Sequence, residues 1–144
     1  MFISKKGYYF IKVILFFGFS KKESFPIKEL SKRLEISEKV LEQVLLSLKN
    51  KGLLSSRRGP QGGYWLSSDV SEMTLMDIIN ITGKKMDIFP IDTGRNPKVI
   101  DEVLGDVGEE IEKDVFKKLE EIKVSDLVGI LKEKVTETGL NYVI

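Results

Sequence analysis

The chain has 144 residues, 42% hydrophobic and 31% charged, with 23 Lys/Arg against 22 Asp/Glu. That is the make-up of a soluble globular protein, either one domain or a small domain with an oligomerisation arm. It contains no cysteine and no histidine, which excludes disulfides, thiolate chemistry, imidazole metal sites and histidine acid–base catalysis.

The net charge of +1 hides a split. Residues 1–66 hold 13 Lys/Arg and 5 Asp/Glu, whereas residues 67–144 hold 10 and 17. A basic half followed by an acidic half suggests one end that faces a polyanion and one that avoids it.

Met1 to Phe19 has lysines inside its apolar run and no small-residue cleavage site, so no signal peptide is expected. The run is also too short and too charged to span a bilayer. A cytoplasmic protein without a membrane partner is expected. Within the run, Tyr8 to Phe19 has a helical pattern. Ile11, Ile14, Leu15 and Gly18 share one face, and Phe10, Val13 and Phe17 widen it. A helix apolar most of the way round is a buried one. Lys5 and Lys6 stand at its start, where a helix N-terminus can meet a phosphate; a solvated terminus is the other reading.

A polar loop, Ser20 to Ser24, leads to Pro26, whose fixed φ suits the first turn of a helix. Ile27, Leu30 and Leu34 then share one face. A break follows at Leu34-Glu35-Ile36, with the small Ser31 placed where two helices must approach. Helix-turn-helix units often put glycine in this turn; here Glu35 occupies it. Ser37 is the expected N-cap of the next helix, and Glu38 complements its dipole. Val40, Leu41, Val44, Leu45 and Leu48 are assigned to the core face. Ser37, Glu38, Lys39, Glu42 and Gln43 make a polar N-terminal end.

After Gly52 comes a hairpin pattern: Leu53-Leu54, a tip of Arg57-Arg58-Gly59-Pro60-Gln61-Gly62-Gly63, and a return through Tyr64-Trp65-Leu66. Tyr64 and Leu66 share one face, most simply the core. The glycine-rich tip lacks the G-x-x-x-x-G-K-[ST] pattern and no helix pattern follows it directly, so a nucleotide cradle is discarded. Helix, short turn, helix and hairpin is the order of a winged helix-turn-helix. Such a second helix reads base edges with its N-terminal residues. Gln43 suits adenine, Glu42 a cytosine amine, Ser37 either, and Lys39 a guanine or a phosphate. Arginine on a slim loop suits a narrow minor groove. Taken alone, the helix face also reads as an ordinary solvated one; the basic wing beside it favours nucleic acid.

In the loop Gly83 to Asn96, Asp87 and Asp92 suggest a hard-cation site, but two carboxylates without a third ligand read better as a solvated loop. Asn96 and Pro97 then suit the start of a long helix. Its apolar positions are Ile100, Val103, Leu104, Val107, Ile111, Val115, Leu119 and Ile122. Run continuously from Pro97 to Ile122, it would be on the order of 40 Å long. A domain this small has no core to cover it, so a second copy is expected on Ile100, Val103, Leu104, Val107, Ile111, Val115 and Leu119; a helix folded back on its own domain is the alternative. Gly105 and Gly108 either let another backbone come close or kink the helix. A shorter helix, Ser125 to Val135, would brace the dimer. The tail Asn141 to Ile144 reads as a strand or a frayed end.

These pieces resemble the Rrf/IscR-type family of bacterial transcriptional regulators. The matching residues are Ser4-Lys5-Lys6-Gly7-Tyr8, Ile27-Lys28-Glu29-Leu30, Ile36 to Gln43, Gly52-Leu53-Leu54, Arg58 to Leu66, Met73 to Ile79 and Val124 to Val128. The resemblance covers nearly the whole chain. It implies a homodimer on a partly palindromic double-stranded DNA operator. Ser37 to Gln43 would lie in the major groove, and Arg58-Gly59-Pro60 in the minor groove. The expected DNA-contact set is Lys5, Lys6, Lys28, Ser37, Lys39, Val40, Glu42, Gln43, Arg57, Arg58, Gly59, Pro60 and Gln61. Many family members hold an iron–sulfur cluster on three cysteines in the loop after the post-wing helix. With no cysteine and no histidine, this chain is expected to carry no cluster or other cofactor and to resemble the family's cluster-free, cysteine-metabolism-repressor-like members.

The expected fold class is mostly α with a small β-hairpin: a winged helix-turn-helix over 1–83, a connector over 84–96 and a helical dimerisation region over 97–144. The expected function is a sequence-specific DNA-binding regulator, a repressor by steric occupation of its operator, tuned by a small-molecule or protein effector. The alternative is a winged-helix protein-interaction module that never meets DNA. An enzyme is not expected, since no nucleophile–base pair, metal cluster or nucleotide loop is found.

Overall fold

The computed structural model describes residues 3–20, 24–84, 87–89, 94–96 and 98–138. The Lys21-Lys22-Glu23 part of the first loop, Asp92, Pro97 and the tail Asn141 to Ile144 lie outside the described residues. The elements run α1 (Lys5–Ser20), α2 (Ile27–Leu34), α3 (Glu38–Asn50), β1 (Leu54–Arg57), β2 (Gly63–Leu66), α4 (Leu75–Ile81), α5 (Val99–Glu121) and α6 (Val124–Thr138). This is the mostly α architecture with a two-stranded antiparallel hairpin that the pattern calls for. Among the described residues no helix is long and apolar enough to cross a membrane.

Helix α1 starts at Lys5, three residues before the apolar run that signals it, because the Ser4 hydroxyl accepts the Gly7 N–H at 3.0 Å and the Ser4 carbonyl accepts that of Tyr8. Its Phe10, Val13, Ile14, Phe16 and Phe17 are buried. They are covered from several sides, as α1 packs against α3, α4, α6 and β2. Phe16, Phe17 and Phe25 meet edge to face at centroid distances of 4.9–5.9 Å, the arrangement favoured by the ring quadrupole. Phe25 also pairs with Tyr64 through two backbone hydrogen bonds of 2.9 Å, which stitches the segment before α2 to the hairpin.

Two local starts, those of α2 and α5, differ from the sequence pattern, and that of α4 is fixed by a reciprocal cap. Pro26 is the N-cap of α2, with an extended ψ of 148°, and Ile27 takes the first helical position. Helix α4 begins at Leu75: Thr74 Oγ1 accepts the Asp77 N–H at 3.1 Å while Asp77 Oδ2 accepts that of Thr74 at 2.9 Å, a reciprocal capping box. At the head of α5 the N-cap is Lys98 and not Asn96, because Asp101 Oδ2 accepts the Lys98 N–H at 2.9 Å.

Helix α5 has 23 residues, about 35 Å at 1.5 Å per residue. Its two ends behave differently. Ile100 is 66% and Ile111 40% exposed, and Val103, Leu104 and Val107 lie between them in exposure. Leu119 is 8% exposed and packs with Ile79, and Val115 and Phe116 join the same cluster. Val115 and Leu119, expected on a partner, are therefore used inside the chain. The reason is that α4 lies alongside the C-terminal end of α5. Helix α6 seats on α1 of its own chain: Val124 and Val128 belong to the main core and press on Gly18. The corner before α6 is fixed by Leu75 N–H to Ile122 O at 2.9 Å and Val124 N–H to Met73 O at 2.8 Å. Lys123 reaches Glu72 at 2.6 Å, and that hydrogen bond and charge hold its ammonium pKa above the usual lysine value.

Candidate nucleic-acid interface

The interface is built on the turn between α2 and α3. Leu34 and Ile36 are buried on either side of it. Between them Glu35 takes a left-handed backbone, φ 54°, and donates its N–H to the Ser31 carbonyl. The Ile36 N–H reaches the same carbonyl at 3.3 Å, and the Ser31 hydroxyl donates to the Ile36 carbonyl at 2.6 Å. Ser31 thus closes the turn from both sides, a role beyond its small size. Lys12 of α1 donates its ammonium to the Leu34 carbonyl, one of the carbonyls that a helix end leaves without an intrahelical partner.

The turn sets the exit of α3. Ser37 is its N-cap, accepting the Val40 N–H at 3.4 Å, so its hydroxyl is partly engaged by the helix. Leu41, Val44, Leu45 and Leu48 face the core. Val40 does not: it is 37% exposed, because the buried stripe runs through 41, 44, 45 and 48 and leaves 40 on its edge. Lys39, Val40, Glu42 and Gln43 form an exposed surface at the N-terminal end of the helix.

The hairpin pairs Leu54 with Leu66, Ser56 with Tyr64 and Arg57 with Gly63. Leu54 is buried, and Tyr64 and Leu66 pack against the main core as their shared face requires. At the tip the Gly62 N–H reaches the Gly59 carbonyl at 2.8 Å. A Cβ on Gly62 would stand 2.3 Å from the Arg57 carbonyl oxygen, so only glycine closes this turn. Arg57, Arg58, Gly59, Pro60 and Gln61 are all exposed.

Helix and wing enclose a groove of about 410 Å³. Glu42, Leu46 and Lys49 line it from α3, and Ser56, Arg57, Arg58 and Gly59 from the hairpin. The Lys49 ammonium donates to the Ser56 hydroxyl at 2.7 Å across it. Of the expected contact set, Glu42, Arg57, Arg58 and Gly59 are brought together here. Ser37, Lys39, Val40 and Gln43 lie on α3 outside the groove lining, as do Pro60 and Gln61 at the tip. Lys28 is exposed near the start of α2, and Lys5 and Lys6 stand at the head of α1. Lys5 sits 5.9 Å from the Tyr9 ring centre. The sequence reading missed Leu46 and Lys49, although 42, 46 and 49 share one helical face. Arg33 of α2 is committed elsewhere, paired with Glu29 at 2.8 Å and lying over the Phe25 ring.

A family model described as Rrf2, iron-dependent transcriptional regulator, matches residues 3–130. The transcriptional regulator IscR of Photorhabdus laumondii is 35% identical over 86 residues, 59% of this chain and 52% of its own length. The chain thus spans about half the length of the curated relatives it matches. Among solved structures, CymR (YrzC), the global cysteine regulator of B. subtilis, superposes with a TM-score of 0.71 at 26% identity, covering 89% of this chain and 96% of that one. IscR of T. potens superposes with a TM-score of 0.70 at 26% identity, covering 92% and 89%. The family's description names iron. There is no cysteine or histidine, and among the described residues no three His, Cys, Asp or Glu side chains gather, whereas iron–sulfur clusters are held by thiolates and imidazoles. The match over residues 3–130 extends across every element from α1 to the first half of α6, and this chain belongs to the Rrf2 family of transcriptional regulators.

Proposed function

We propose that this protein is a sequence-specific DNA-binding regulator that acts as a homodimer on a partly palindromic operator and represses by occupying it. One observation carries this reading: Glu42 and Lys49 of α3 and the arginines of the wing line one groove, beside the exposed polar N-terminal end of that helix. In that arrangement a helix can enter a major groove while the slim tip, with Arg58, reaches the adjoining minor groove. The family membership and the basic charge of residues 1–66 support the same reading. The second copy would lie on the exposed stripe of α5, Ile100, Val103, Leu104, Val107 and Ile111, which nothing in its own chain covers among the described residues. Two recognition helices related by a two-fold axis then set the half-site spacing. With no thiolate or imidazole in the sequence, the protein would work without an iron–sulfur cluster, and its signal would be another small molecule or a protein.

The test is selection of binding sites from fragmented genomic DNA with the purified protein, followed by affinity against salt. Enrichment of a two-fold site and a steep linear fall of log affinity with log salt are expected. Retention of no DNA at any salt concentration would overturn the reading in favour of a protein-interaction winged helix.

A further inference from the structure

Away from the groove, a cavity of about 210 Å³ opens between the end of α1, the segment leaving β2 and the first turns of α6. Its floor is apolar: Gly18, Leu66, Val70, Val124 and Val128. Asp69, Ser71, Ser125 and Lys132 are the polar residues of its lining. The Asp69 carboxylate accepts the Ser71 N–H at 2.9 Å, and the Ser125 N–H goes to the Ser71 carbonyl at 3.0 Å, so the walls are tied to each other. Among the described residues the Lys132 ammonium forms no ion pair.

Two glycines line this cavity for opposite reasons. A Cβ on Gly18 would press on Val124 at 3.1 Å, so packing demands that glycine. A Cβ on Gly129 would meet nothing within 4 Å. Glycine inside a helix weakens it, yet neither close packing nor a positive φ requires Gly129. What its bare backbone does is leave the cavity open.

We propose that this cavity binds a small monocarboxylate with a compact aliphatic or aromatic tail. The tail lies on the valine and leucine floor, and the carboxylate meets the Lys132 ammonium with the Ser125 hydroxyl as a second donor. The volume is above the ~150 Å³ that holds a benzene ring and below the ~300 Å³ at which drug-sized sites begin, which limits the ligand to roughly ten non-hydrogen atoms. Such a ligand would touch the foot of the wing, α1 and α6 together.

The experiment is calorimetric and NMR titration of the full chain, without DNA, with benzoate and isovalerate and with their uncharged amides. Because no DNA is present, failure of the operator reading would leave the result intact. Saturable binding of the acids is expected, with the amides about tenfold weaker for want of the charge-assisted bond. Gly129→Leu should abolish binding of all four while keeping the helical circular dichroism, since leucine favours a helix. If that variant fails to fold, the surface change Lys132→Gln decides: loss of the acid's advantage over the amide supports the site. No saturable binding of any probe, unchanged binding in Gly129→Leu, or an unchanged acid preference in Lys132→Gln would overturn it.

Discussion

The ring of Phe89 lies directly on the bare backbone of Gly108: a Cβ there would stand 2.7 Å from Phe89 Cδ1 and 2.9 Å from its Cβ. One turn further along α5, Glu112 Oε1 accepts the N–H groups of Ile88 and Phe89 at 3.1 and 3.5 Å. The close approach that a helical glycine invites is thus taken by the connector of the same chain. Gly108→Ala should displace Phe89 and offset the ~1 kcal/mol that alanine adds to a helix interior. In a Phe89→Gly background, which removes the ring and its Cβ together, the same change should be stabilising. Urea unfolding of the four proteins gives the coupling, expected at about 1 kcal/mol or more; additive effects would show that the ring is not seated there.

Glu35 holds a left-handed backbone between two buried residues. The conformation costs a side-chain-bearing residue about 1–2 kcal/mol. Glu35→Gly should lose no stability, because relieved strain balances the added freedom of the unfolded chain. Glu35→Val should lose more than about 1 kcal/mol, since β-branched residues avoid this region. Denaturant midpoints at constant slope check both.

The halves of α5 should respond differently to substitution. Val107→Asp places a charge on the exposed stripe and should convert a dimer to a monomer in light scattering with the helical fold kept. Leu119→Ala empties a buried position and should lower the stability of the fold itself by about 2–5 kcal/mol. A Val107→Asp protein that remains dimeric would move the self-association surface elsewhere.

Arg58→Ala should weaken operator binding by about 1–3 kcal/mol and reduce the salt slope by about 1. Glu42→Ala should act on base preference rather than on the slope, because a carboxylate makes no phosphate contact. Competition titrations against a panel of single-base operator variants separate the two effects.

Operator affinity should be the same after dialysis against a chelator and after addition of ferrous iron or sulfide under anaerobic conditions, because the chain offers no thiolate or imidazole donor. A visible absorption band that tracks DNA binding would overturn this.

Periodicity alone was enough to locate α2, α3, the hairpin and α5, because each carries a repeating apolar face whose spacing is set by its own backbone geometry. The absence of cysteine and histidine, which decides the donor chemistry, is likewise a property of the sequence with no fold needed. What only tertiary packing decided concerns residues whose partners are distant along the chain. The apolar repeat of α5 runs unbroken from Ile100 to Leu119, but α4 covers its far end and leaves the near end bare. Nothing in the repeat marks where one ends and the other begins, because burial depends on a neighbour that local spacing does not encode. Val124 and Val128 fall in the region that the sequence pattern assigns to dimerisation, whereas in the fold they pack on Gly18 of α1. Lys49 became part of the groove only because the register of the hairpin sets Ser56 opposite it. Turns and repeats are local consequences of covalent geometry, whereas a groove or a cavity exists only where separate segments meet.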